Sequence, residues 1–465
     1  MAKSDKFRSK TVFVCQQCGK ESLKWLGRCP DCQQWNTFVE TTVSVTTPSK
    51  IPALENPPQE LSQIVIGAAD RLPLPMAEFN RVLGGGLVAG SLVLIGGDPG
   101  IGKSTLLLQI SALVAEAQGK VVYVSGEETL HQIKLRAERL GVKGEKLYLL
   151  AETDLDVILT QIEKLSPSLV VIDSIQAVYL PELDTAAGSI TQVRECTLRL
   201  MHLAKLKSVP TFITGHVTKD GTLAGPRVLE HIVDVVLYLE GEPFSAYRVL
   251  RGVKNRFGST NEIGVFEMKG QGLVEVDNPS LAFLSQRGEE AMGSAVVPTL
   301  EGSRPLLVEI QALTNPTSFG QPRRTANGVD FGRLLLIIAV LSKRVGLRLG
   351  NQDIIANVTG GLRIGEPAAD LGIALAIASS FRDLGVDPSL VAVGEVGLSG
   401  ELRTVSQLDR RVTEAARLGF KRCLVPRSAG RISAPKGIEL IPVSTLREAI
   451  GVGLIMIKGK VKEET

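Results

Sequence analysis

The chain has 465 residues, enough for roughly three domains at ~150 residues each. Apolar residues make up 44%, ample for real cores, while aromatics are only 4% and the formal charge is +3. Any nucleic-acid surface therefore has to be a local patch and not a global field. The first eight residues lack the apolar core of a signal peptide, and the longest purely apolar run, Leu334 to Leu341, is far too short to span a bilayer. A cytoplasmic protein without a membrane partner is expected. Six cysteines in so long a chain do not make a disulfide scaffold, and four of them crowd into residues 15–32.

In chain order, residues 11–40 form the first unit, around Cys15-x₂-Cys18, ten intervening residues and Cys29-x₂-Cys32. Each pair presents two thiolates to one ion, and two pairs complete a closed tetrahedral shell, so structural Zn²⁺ is predicted. Gly19 and Pro30 suit the tight turns such knuckles need. Lys20, Lys24, Trp25 and Arg28 suit nucleic acid or, equally, a solvated surface around a packed Trp. Residues 41–65, rich in Thr, Ser and Pro, read as a linker.

From 66 to 285, short apolar runs alternate with amphipathic helices. Strands are predicted near 91–96, 121–125, 169–173, 210–214 and 233–239, with helices near 104–118, 129–140, 155–165 and 190–207. That alternation predicts an α/β domain with a parallel sheet covered on both faces. Beyond Tyr238 the pattern turns strand-rich, with runs at 246–254, 263–268 and 272–276. A last unit, 291–455, opens on a strand at 306–310 and a helix at 330–345. Cys196 and Cys423 lie in apolar surroundings and read as core residues.

The first apolar strand runs into Gly97-Asp98-Pro99-Gly100-Ile101-Gly102-Lys103-Ser104-Thr105, the G-x-x-x-x-G-K-[ST] pattern of a phosphate-binding loop. Its glycines let backbone N–H groups converge on an anion at a helix N-terminus. Lys103 is predicted to reach the β/γ-phosphates of ATP or GTP, and Ser104 to hold Mg²⁺. Val170-Val-Ile-Asp173, about seventy residues on, ends an apolar strand in the acid expected in the Mg²⁺ shell. Val121-Val-Tyr-Val-Ser-Gly-Glu127-Glu128 offers a second strand ending in acids, one of which suits polarising the attacking water. A solvated acidic pair is the competing reading. His216 ends the fourth strand and suits either a γ-phosphate contact or an ordinary loop histidine.

Tyr247-Arg-Val-Leu-Arg-Gly-Val-Lys254-Asn-Arg256-Phe-Gly258 carries four basic residues and no acid. Alternation projects Lys254 and Arg256 from one side of the strand end, suited to a phosphate site in trans, to nucleic-acid phosphates, or to a charged edge.

Lys254-Asn-Arg-Phe-Gly258, the four-cysteine segment and the Gly97–Ser104 loop together resemble the bacterial RadA (Sms) family of DNA repair proteins, from about Phe13 to about Val452. The resemblance implies a RecA-like P-loop ATPase core behind a Cys₄ zinc finger, followed by a Lon-protease-like α+β domain. It implies a DNA-dependent ATPase that assembles as a hexameric ring and promotes branch migration on single-stranded and branched DNA, alongside recombination proteins such as RecA. By motif, Lys103, Ser104 and Asp173 match the ATP and Mg²⁺ ligands. Glu127 matches the water-activating glutamate, with Glu128 as fallback. Lys254 and Arg256 match a motif that reaches the neighbouring subunit's nucleotide and affects DNA binding. Arg194, Lys219 and Arg227, in or near the loops where RecA-like proteins hold DNA, are implied DNA contacts, as is Lys254.

Gly365-Glu-Pro-Ala-Ala-Asp-Leu-Gly372 resembles the Lon segment carrying a nucleophilic serine, but Ala368 stands there. Gln407-Leu-Asp-Arg-Arg411 resembles the stretch supplying the catalytic lysine, but Asp409 holds that place. With neither half of the dyad, the domain is expected to be non-proteolytic. Arg323, Arg324, Arg333, Lys343, Arg344 and Arg348, near the single acid Asp330, suit a duplex-facing surface or a solvated helix face. A motor and an ATP-gated clamp or loading platform without translocation remain alternatives at this point. A small-molecule kinase leaves the zinc knuckles and the last domain unexplained.

Overall fold

The computed structural model describes residues 9–15, 20–31, 33–44, 59–63, 67, 71–215, 228–241, 246–284, 292–318, 320–430 and 435–456. The chain divides into two units, Met1–Glu275 and Val276–Thr465. At the start, strands β1 (Ser9–Cys15), β2 (Glu21–Ser22) and β3 (Phe38–Ser44) form an antiparallel ribbon in the order β2-β1-β3. Among the described residues its apolar cluster is small: Cys15, Cys29 and Phe38, with Phe13 against them. So small a core does not hold a fold by burial alone, which is the usual setting for a structural metal.

The large sheet grows from five-residue apolar runs in which every position is buried: β4 (Leu92–Gly96), β5 (Val121–Ser125) and β7 (Leu169–Asp173). Along the chain β6 (Leu147–Ala151) comes after β5 and before β7, and β8 (Thr211–Thr214) and β9 (Val235–Glu240) follow. These six strands are parallel. Antiparallel β10 (Tyr247–Asn255), β11 (Ile263–Lys269) and β12 (Gly272–Glu275) extend the sheet to the order β12-β11-β10-β9-β4-β8-β7-β5-β6.

Period-two alternation divides the buried residues between the faces. Val93, Ile95, Val121, Tyr123, Leu169, Val171 and Phe212 pack with α1 (Ala77–Leu83), α2 (Lys103–Gln118) and α3 (Leu130–Arg139). Leu94, Val122, Val124, Val170, Ile172 and Ile213 pack with α4 (Leu155–Leu165) and α5 (Ile190–Lys207). Helix starts follow local chemistry: Thr129 and Gln132 form a reciprocal capping box at α3. Strand β6 is absent from the sequence reading because its short apolar run sits half-buried at the sheet edge, where alternation does not separate strand from helix.

In the second unit α7 (Pro279–Leu284) packs on β14 (Arg304–Pro316), so the unit starts earlier than the sequence reading's 285–291 boundary. Its seven-stranded mixed sheet also contains β13 (Ser294–Glu301), β15 (Arg324–Asn327), β16 (Gln352–Val358), β17 (Leu390–Ala392), β18 (Arg422–Pro426) and β19 (Glu439–Val443). The strand order is β15-β16-β14-β13-β17-β18-β19. Helix α8 (Phe331–Val340) ends before the sequence-based 345, in a wide turn over Leu341–Val345 closed by Gly346 in the left-handed region. Helix α9 (Asp370–Arg382) is buried around its whole circumference for most of its length, as a central helix should be. Helix α10 (Leu408–Arg417) follows, with its apolar side in the same core as Ala368.

Candidate functional site: a nucleotide site at the carboxyl edge of the sheet

Parallel strands end on one edge, and the crevice beyond their carboxyl ends is where such sheets bind ligands. The loop from Gly97 to Gly102 leaves β4 at that edge and feeds Lys103 into α2. Two glycines are dictated by geometry. Gly97 has φ +148, and a Cβ there would lie 2.5 Å from the Leu239 carbonyl; Gly102 has φ +115, and a Cβ there would meet Met268 at 2.8 Å. Lys103 is buried and its Nζ donates to the carbonyls of Gly97 (2.8 Å) and Asp98 (3.0 Å), holding the loop in a curl. Burial lowers its pKa, and the carboxylates of Asp173, Asp98 and Glu127 oppose that shift.

Register brings the acids to the same edge: Ser125 pairs with Asp173, Ile172 with Ile213, and Thr214 with Ile95. Asp173 is buried; its Oδ2 accepts from the Tyr123 hydroxyl at 2.5 Å and its Oδ1 from the Thr214 hydroxyl at 2.7 Å. Burial, then the Asp173 charge, push the Tyr123 phenol well above its ordinary pKa. The two consecutive glutamates differ. Glu127 Oε1 accepts from the Ser174 hydroxyl at 2.5 Å, beside Asp173, while Glu128 is engaged in an ion pair with Arg136. An oxygen-only donor set of the Ser104 hydroxyl and the Asp173 carboxylate suits Mg²⁺, a hard cation. His216, Lys219 and Arg227 lie outside the described residues. Arg194 is half-exposed on α5 with the Glu195 carboxylate at 3.9 Å.

Lys254 and Arg256 lie elsewhere. Lys254 pairs with Val236, which is level with Leu94, and Asn255 pairs with Val235, which is level with Val93. The chain then runs away from Gly96, toward the amino edge of the sheet. Both basic side chains turn to one place there. Lys254 Nζ donates to the carbonyls of Glu230 (2.5 Å), Val233 (2.8 Å) and His231 (3.5 Å), at the end of α6 (Val228–Ile232). Arg256 lies 3.3 Å from the buried Asp234 carboxylate, which also holds Lys205 at 2.9 Å and the Leu92 N–H at 3.1 Å. Asn255 donates to the last carbonyls of α1. Asp234 is one residue that sequence reasoning missed; its one signal is a lone acid directly before an apolar strand. The basic pair is therefore gathered on one side, as expected, but folded back onto its own chain.

In the ribbon, Cys15 and Cys29 are both fully buried; the Cys15 N–H donates to Lys20 O and the Cys29 N–H to Gln34 O. Cys18 and Cys32 lie outside the described residues. Two cysteines buried in one small cluster fit a thiolate-bound Zn²⁺. Cys196 and Cys423 are buried, and burial pushes each thiol up to about 12.

In the second unit Ala368 is buried and Asp409 is exposed in the first turn of α10. The two segments are joined by an ion pair: Arg411 donates to both Glu366 oxygens at 2.6 Å and to the Pro298 and Ser406 carbonyls. Among the basic residues singled out there, Arg333 donates twice to Asp370, at 2.6 Å each, and Arg324 is held by backbone carbonyls. Lys343, Arg344 and Arg348 are exposed.

A curated DNA repair protein RadA from Halalkalibacterium halodurans is 54% identical over 453 residues, covering 96% of this chain and 99% of its own. Another from Bacillus subtilis is 52% identical over 454 residues, 96% of this chain and 99% of its own. The chain belongs to the RadA family of DNA repair proteins. Within this RadA-family chain, residues 56–222 match the AAA domain, 13–40 the rubredoxin metal binding domain, and 337–429 subunit ChlI of Mg-chelatase. A solved KaiC-like protein from Pyrococcus horikoshii OT3 is similar over 44% of this chain and 98% of its own, at 24% identity and a TM-score of 0.38. The fold is thus a RecA-like P-loop core between a zinc ribbon and a ChlI/Lon-like domain, and the RadA-family core is an ATP-hydrolysing one. The AAA domain implies ATP with Mg²⁺, and the ribbon a structural Zn²⁺. Among the described residues no helix is long and apolar enough to cross a membrane.

Proposed function

We propose that the chain is a DNA-stimulated ATPase of recombinational repair, working in the cytoplasm as a ring, a hexamer by family resemblance, that moves on single-stranded DNA and drives branch migration. The carrying observation is the division of labour across one sheet: Lys103, Asp173 and Glu127 stand at the carboxyl edge, Lys254 and Arg256 toward the amino edge. A basic edge remote from its own phosphate loop suits a head-to-tail assembly, in which one copy's edge faces the next copy's nucleotide and rotation closes a ring.

At each site Lys103 would hold the β/γ-phosphates, Ser104 and Asp173 the Mg²⁺, and Glu127 the attacking water. Bound Mg²⁺ would neutralise charge that develops on the phosphates. Glu127 is favoured over Glu128 because it lies beside Ser174 and Asp173, whereas Glu128 is committed to Arg136. Hydrolysis would be felt by the segment ending in α6, which Lys254 and Asp234 tie to the sheet; Lys219 and Arg227 precede it and, with Arg194, are the proposed DNA contacts.

The test is branch migration of a preformed three-strand junction by the full chain and by Lys103→Ala, with images of particles holding ATP and single-stranded DNA. Rings threaded by the strand and loss of migration in the variant are expected. Migration that survives Lys103→Ala excludes a motor. Rings that bind DNA but never migrate it leave the second reading, an ATP-gated clamp, which uses the same residues.

A further inference from the structure

Tyr123 belongs to no nucleotide motif, yet its hydroxyl bonds the carboxylate assigned to Mg²⁺. It is the one hydroxyl-bearing residue in the apolar Val-Val-Tyr-Val run of β5, and it is fully buried. Phenylalanine would fill the same apolar layer at lower cost, since a buried hydroxyl is unfavourable unless bonded. Here the phenol has a partner: it donates to Asp173 Oδ2 at 2.5 Å. The other Asp173 oxygen is held by Thr214 at 2.7 Å. Period-two alternation puts Tyr123, Asp173 and Thr214 on the face covered by α2, the helix that carries Ser104.

We infer that Tyr123 is a positioning residue for Mg²⁺, fixing the Asp173 carboxylate in one orientation before the metal arrives. A carboxylate free to rotate would present the metal with several geometries, whereas Mg²⁺ demands a near-ideal octahedron. Outer partners of metal ligands commonly change metal affinity by about 10-fold or more when removed. The inference rests on the reading of Ser104 and Asp173 as the Mg²⁺ ligands.

The experiment is Mn²⁺ binding, counted by electron paramagnetic resonance of the free ion, to the full chain with a non-hydrolysable ATP analogue. Tyr123→Phe keeps the ring and is expected to weaken Mn²⁺ binding about 10-fold while analogue binding in EDTA stays unchanged. Turnover should recover at high Mg²⁺. Mn²⁺ affinity within twofold of the parent, or a loss of turnover that no Mg²⁺ concentration restores, overturns the inference. Thr214→Val, which frees the other Asp173 oxygen, should weaken Mn²⁺ in the same direction and carries the test if Tyr123→Phe does not fold. Asp173→Asn separates the two levels: undiminished Mn²⁺ binding there would remove the ligand reading itself, not only the role of Tyr123.

Discussion

Removing the Lys254 ammonium is predicted to loosen α6 without touching the nucleotide pocket. Helix α6 has only five residues, too few to persist on their own backbone bonds, and its last carbonyls have no intrahelical donors. Lys254 donates to two of them, Glu230 at 2.5 Å and His231 at 3.5 Å, and to the Val233 carbonyl just past the helix at 2.8 Å. A cation at a helix C-terminus is also favoured by the backbone dipole. A charge-assisted bond contributes about 1.5–3 kcal/mol when shielded, and Lys254 is half-exposed, so the two short bonds together are worth about 1–2 kcal/mol. At 1.4 kcal/mol per factor of ten, Lys254→Ala should speed amide exchange across 229–233 by about 5- to 30-fold. Hydrogen exchange read by mass spectrometry on the full chain measures this. ATP affinity should hold, because the phosphate loop leaves the opposite end of β4, while stimulation of turnover by DNA should collapse. Unchanged exchange at 229–233 would refute the strut, and loss of ATP affinity would place Lys254 in its own chain's pocket.

Glu127→Gln should bind ATP as before but turn over about 10²- to 10³-fold more slowly, whereas Glu128→Gln should keep most activity; the reverse order in a steady-state assay would exchange their roles. Cys29→Ser should release zinc, measured by elemental analysis, and expose residues 11–40 to protease while the melting of the ATPase core is unchanged; one zinc retained per chain contradicts a four-cysteine shell. Burial works against the charge of Glu366, yet Arg411, Thr299 and the Leu300 N–H outweigh it and hold its pKa below the ordinary value. That stabilisation is present above the unfolded pKa and is lost as pH falls through the folded one. The urea midpoint of the second unit should therefore drop on acidification below about pH 4.5, and Glu366→Gln should flatten that slope.

Much of the core was legible because its strands are buried on both faces. Val121–Ser125, Leu169–Asp173 and their neighbours are unbroken apolar runs between amphipathic helices, and the phosphate loop announces itself by its glycines. Glu127 was nameable from its place after the second strand, but only the Ser174 and Arg136 contacts distinguish it from Glu128. The edge strand Leu147–Ala151 was invisible for the opposite reason: half-buried, it carries no clean period. Asp234 and Tyr123 escaped notice because their meaning is tertiary. Each is an ordinary residue in sequence, and each matters through partners about 50 positions or more away: Asp173 for Tyr123, Leu92 for Asp234. Lys254 and Arg256 were recognisable as a pair, but alternation predicts which side a residue faces and not whether its own chain satisfies it.

ATP turnover with and without single-stranded DNA, followed across a salt series, bears most directly on the account. Turnover should rise sharply with DNA, the stimulation should fade as salt weakens phosphate contacts, and Lys103→Ala should abolish both. A rate indifferent to DNA at low salt, with the phosphate loop intact, would contradict a nucleotide site that drives work on a DNA strand.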